Sequence, residues 1–90
     1  MCNATPIPYE TKFEDGTEIT SYLAIGVAEG FETKEGDTDI IRAWSYICGK
    51  RLHRGLQGWF GRNVQLLLDN GVLGIDGDVD WSEYDKFNEL

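Results

Sequence analysis

Tyr9-Glu10-Thr11-Lys12-Phe13-Glu14-Asp15-Gly16-Thr17-Glu18-Ile19-Thr20-Ser21 is the stretch on which the fold class turns. Apolar and polar residues alternate over 9–13 and again over 18–21, on either side of an Asp15-Gly16 pair. Alternation around Asp-Gly is the sequence form of a β-hairpin, because Gly takes the left-handed conformation that a tight turn demands. Pro6 and Pro8 both precede the first run, where a missing N–H costs no ladder hydrogen bond. The expectation is an α+β protein. A hairpin over 9–21 would pack on a small bundle of two to three helices, ahead of an acidic, extended C-terminal segment.

Helical spacing governs the middle of the chain. Leu23, Val27 and Phe31 recur at helical spacing, with Ala24 and Ala28 beside them, and favour a short helix after Ser21 over a third strand, with Gly30 able to end it. Residues 32–38 are polar, contain Gly36 and read as a loop, from which Asp37 or Thr38 would cap the next helix. Ile40, Ile41, Trp44, Ile47 and Cys48 then form one apolar stripe that stops at Gly49. A second stripe of Leu56, Trp59, Phe60, Val64 and Leu67 predicts a helix over about 56–70. Asn70-Gly71 would close it in a left-handed cap, with Val72 folding back on the last turn. Residues 73–81 alternate loosely, as a short strand or an extended tail. Residues 82–90 have room for one more helical turn, with Tyr84 and Phe87 inward. The chain thus reads as a single domain: a start over 1–8, the hairpin over 9–21, a helical part over 22–71 and an acidic segment over 72–90.

Ninety residues with 41% hydrophobic side chains can build one core, and a net charge of −8 keeps the surface acidic. The charge is uneven. Residues 1–41 sum to −7, residues 42–62 to +5 and residues 63–90 to −6. The positive band consists of Arg42, Lys50, Arg51, Arg54 and Arg62. The two cysteines, Cys2 and Cys48, do not make a disulfide scaffold. The first nine residues have neither the basic region nor the apolar run of a signal peptide. No stretch approaches the length of a membrane span. The expected location is a reducing cytosol.

Several motifs bear on chemistry. Gln57-Gly58-Trp59-Phe60-Gly61-Arg62 places two glycines in the first turn of a helix, at about 1 kcal/mol each relative to Ala. The expected reason is close packing against the preceding helix, so Gln57, Gly58, Trp59, Phe60 and Gly61 read as structural. Trp59 and Arg62 are also residue types enriched at binding hot spots. Asp76-Gly77-Asp78-Val79-Asp80 invites comparison with a calcium loop. Counted from Asp76, however, the sixth and twelfth positions hold Trp81 and Phe87 rather than Gly and Glu. His53 is the single histidine and has no recognisable catalytic partner, and no phosphate-cradling loop or His/Cys metal spacing occurs. The expectation is a protein that is not an enzyme and uses neither metal nor cofactor.

The stretch from about residue 22 to 74 resembles a family of short uncharacterised tailed-phage proteins. The matching features are Glu29-Gly30 at the end of a first segment, an acidic loop, a helix bearing Trp44-Ser45-Tyr46, and above all Gly55-Leu56-Gln57-Gly58-Trp59-Phe60-Gly61-Arg62. The helix that follows ends in Leu67-Leu68-Asp69-Asn70-Gly71-Val72. Lys50-Arg51-Leu52-His53-Arg54 is more basic than the family's usual turn. The resemblance implies a phage accessory protein and carries no activity with it.

Together these features lead to a non-catalytic protein that binds and modulates a host protein, such as a defence component (in the manner of an anti-CRISPR) or an enzyme of transcription or replication. Its expected contact surface is acidic: Asp76, Asp78, Asp80, Glu83 and Asp85. One alternative is a nucleic-acid-binding regulator that uses Lys50, Arg51, Arg54 and Arg62. Another is a structural or assembly protein that acts as an oligomer.

Overall fold

A computed structural model describes residues 7–30, 36, 38–55 and 58–88. Among these residues four α-helices carry the fold: α1 (Ser21–Glu29), α2 (Asp39–Gly49), α3 (Gly58–Asp69) and α4 (Trp81–Asn88). A 3-10 turn, Leu52–Gly55, lies between α2 and α3. Among the described residues there is no strand and no sheet, so the α+β expectation is wrong and the architecture is helical.

The predicted hairpin is a turn with one bridge, Lys12 to Glu18. Gly16 does take a left-handed φ of 88°. Its N–H donates to the Phe13 carbonyl at 3.0 Å, and the Phe13 N–H donates to the Thr17 carbonyl at 2.9 Å. This is a three-residue loop with a left-handed Gly. Pairing stops because both arms are drawn elsewhere. The incoming arm is bound to α2, where the Glu10 N–H donates to Ser45 Oγ at 2.9 Å. The outgoing arm ends at Thr20, whose Oγ1 accepts from the Leu23 N–H at 3.2 Å and caps α1. The alternation was still informative about burial, since Phe13 and Ile19 both lie in the core.

The same turn recurs near the C-terminus. The Gly74 N–H donates to the Asp78 carbonyl at 2.8 Å, the Gly77 N–H donates to the Gly74 carbonyl at 2.9 Å, and Gly77 has φ 89°. A single bridge, Leu73 to Val79, closes it, and Asp80 then caps α4 as Thr20 caps α1. Residues 73–81 are therefore a turn leading into a helix and not a strand.

α2 lies at the centre, with Ile41, Ala43, Trp44, Ser45, Ile47 and Cys48 buried. Its N-terminus is held by a reciprocal clamp. The buried Asp39 carboxylate accepts from the Glu14 N–H at 2.8 Å and from the Gly36 N–H at 3.1 Å. The Glu14 carboxylate in turn accepts from the Thr38 N–H and hydroxyl. Thr38 occupies the cap position, but its own side chain does not cap; Asp37 lies outside the described residues. Arg42 ties α2 to the start of the chain through an ion pair with Glu10 and sits over the Trp81 ring at 5.3 Å.

α3 joins α2 through aromatics. Trp59 and Phe60 stack at 4.1 Å, and each ring meets Trp44 at 5.9 Å. Such pairs contribute about 0.5–1.5 kcal/mol each beyond their burial. α3 closes as the sequence reading expects. Gly71 has φ 73°, its N–H donates to the Leu68 carbonyl at 3.1 Å, and the Val72 N–H donates to the Leu67 carbonyl at 3.0 Å. These are the paired bonds of a Schellman cap, and Val72 is fully buried beneath it.

Candidate functional site

The close-packing account of Gly58 and Gly61 does not hold. Among the described residues, a Cβ at Gly61 would meet nothing within 4 Å, and one at Gly58 would meet only the Arg62 guanidinium at 3.3 Å. Of the motif, Phe60 is buried, Trp59 is half-buried against it, Arg62 is exposed, and Gln57 lies outside the described residues. The position where backbones do crowd is Gly77, whose Cβ would lie 2.5 Å from the Ser45 carbonyl oxygen and 2.7 Å from the Gly49 nitrogen.

The five acids of the expected surface divide by role. Asp80 Oδ1 accepts from the Glu83 N–H at 3.1 Å and caps α4, and Glu83 pairs with Lys86 at 3.5 Å. Asp76, Asp78 and Asp85 are exposed, and none of their carboxylates makes a hydrogen bond or ion pair with another described residue. Among the described residues no three His, Cys, Asp or Glu side chains come together so as to hold a metal ion.

The basic band divides likewise. Arg42 is committed to Glu10. Lys50 lies near the rings of Tyr9 and Tyr46, at 5.9 and 5.7 Å. Lys50, Arg51, Arg54 and Arg62 are exposed and make no ion pair with the described residues. Acidic and basic regions adjoin at Cys48. Burial pushes this thiol above its ordinary range; Arg51 opposes the shift, and Asp78 and Asp76 add to it. His53 is partly buried in the 3-10 turn, and its Nδ1 has no partner among the described residues.

An apolar groove between α2, α3 and α4 is the feature that sequence reasoning missed. Ile40, Ile41 and Trp44 line it from α2; Asn63, Leu66 and Leu67 line it from α3. Tyr84 and Phe87 line it from α4, and its volume is about 290 Å³. Ile40 was expected in the core, yet it is 60% exposed at the mouth, and Leu66 is 49% exposed. The available signal was Leu66 itself, an apolar residue outside the stripe that buries Leu67. A second depression, lined by Asn70, Glu83, Lys86 and Phe87, shares Phe87 with the groove.

No helix of the described residues is long and apolar enough to cross a membrane. No protein-family model, curated protein or solved structure matches the chain.

Proposed function

We propose that this is a phage-encoded, non-catalytic accessory protein that binds a basic face of a host protein and modulates, most simply inhibits, that protein. The observation that carries this reading is the set of three exposed carboxylates, Asp76, Asp78 and Asp85, that make no hydrogen bond or ion pair among the described residues. A net charge of −8 extends their field and speeds encounter with a cationic partner. A defence component or an enzyme that works on nucleic acid carries the required basic surface, because such proteins neutralise phosphate with Lys and Arg. The test is affinity capture from nuclease-treated bacterial lysate with the natural protein and with an Asp76→Lys, Asp78→Lys, Asp85→Lys variant. One protein captured near stoichiometrically by the first and lost by the second supports the reading. Equal capture by both sinks it.

A second reading rests on Lys50, Arg51, Arg54 and Arg62, which have no acidic partner within the described fold. They would bind a nucleic acid backbone, with affinity falling steeply as salt rises. Gel shifts with Arg51→Glu and Arg54→Glu variants test it. The third reading, an assembly protein working as an oligomer, is tested by the mass in solution.

A further inference from the structure

Single exposed aliphatic side chains are ordinary on a protein surface. Ile40 and Leu66 differ in belonging to two walls of one depression, backed by the buried Trp44 and Leu67. At about 290 Å³ the depression sits at the bottom of the range for small-molecule pockets, and it is open. It suits the side chains of a docking segment better than a whole enclosed ligand. All three walls are helices, whose ridges accept the ridges of another helix. Among the described residues no strand longer than a single bridge presents an edge that a partner strand would extend. The walls also differ in charge. α4 and its capping residue carry Asp80, Glu83 and Asp85 against Lys86, whereas α3 carries Arg62 and Asp69.

We infer that the groove receives an amphipathic helix of the partner protein, with aliphatic or aromatic side chains one turn apart in the groove and Lys or Arg along the edge that faces α4. This deepens the binding role proposed above and rests on it. A second copy of this chain is the poorer occupant, because two bodies of charge −8 repel.

The test uses the intact protein and three labelled synthetic peptides. One has Leu at helical spacing with Lys elsewhere, one has the same Leu pattern with Glu elsewhere, and one is a scramble of the Leu/Lys peptide with no apolar face. The Leu/Lys peptide is expected to bind at physiological ionic strength and to shift the amide resonances of Ile40, Leu66 and Phe87; the other two are expected not to bind there. Ile40→Asn and Leu66→Asn alter exposed side chains, so the fold should persist, as a thermal melt would verify. Each should weaken binding about tenfold, the scale of one interface hot spot. Equal binding of the scrambled peptide, no binding of the Leu/Lys peptide, or unchanged affinity in both Asn variants overturns the inference. If Asp76→Lys, Asp78→Lys, Asp85→Lys abolishes binding while the Asn variants do not, the acidic-face reading stands and the groove fails. The converse keeps the groove and removes the acidic face. A doubled solution mass that Leu66→Asn restores to monomer makes the occupant a second copy and also overturns the inference.

Discussion

The Ser45 hydroxyl, wholly buried in α2, donates to the Gly77 carbonyl at 2.5 Å. The same oxygen accepts from the Glu10 N–H, so one side chain joins the start of the chain, the central helix and the C-terminal turn. Ser45→Ala leaves a buried carbonyl and a partly buried N–H unpaired. A loss of about 1–3 kcal/mol is expected in urea unfolding. Gly77→Ala should cost at least as much, about 2–4 kcal/mol, because the left-handed φ and the α2 backbone both oppose a Cβ.

Glu14 makes part of the stability depend on pH. Hydrogen bonds from the Thr38 hydroxyl and N–H hold its carboxyl below the ordinary value of 4.5. A carboxylate whose pKa is lower in the folded state contributes stability above its unfolded pKa. That contribution is lost as the pH falls through the folded value. Glu14→Gln keeps an acceptor for Thr38 but does not titrate. Chemical unfolding followed from neutral pH into the acid range below 4.5 should show a shallower decline in Glu14→Gln than in the natural protein. Parallel curves would remove the clamp as a source of acid sensitivity.

Gly61 is a helical glycine with open space where a Cβ would stand. Gly61→Ala should therefore stabilise α3 by about 1 kcal/mol, which in a domain of this size raises Tm by about 4–8 °C. Gly58→Ala should gain less, since the Arg62 side chain must move aside. A melting temperature lowered by Gly61→Ala would show that the glycine has a role in the fold.

Asp80 and Asp85 lie five residues apart in the same acidic run but should respond differently. Asp80→Ala removes the α4 cap and should cost about 1 kcal/mol. Asp85→Lys changes an exposed side chain and should stay within about 0.5 kcal/mol of the natural protein. Thermal melts of the two variants separate acids that build the fold from acids that are available to a partner.

How much of this was legible in the sequence depends on how local each signal is. The stripe of Ile41, Trp44, Ile47 and Cys48 and that of Phe60, Val64 and Leu67 announced α2 and α3, because a helix satisfies its backbone within its own segment and needs only one apolar face. Gly71 and Val72 announced the end of α3 for the same reason. The Asp15-Gly16 pair announced its turn, but not what the two arms would do next. Strand pairing is a competition among distant partners, and here Ser45 takes Glu10 while Thr20 opens α1. Charge was legible as an acidic run. Only the folded chain assigns Asp80 to a helix cap and Glu83 to Lys86, leaves the carboxylates of Asp76, Asp78 and Asp85 without a partner among the described residues, and sets Ile40 beside Leu66 at the mouth of a groove. Periodicity along the chain thus decided which residues form helices and which faces turn inward, whereas the groove and the available charges arise from contacts between segments far apart in sequence, which no local pattern encodes.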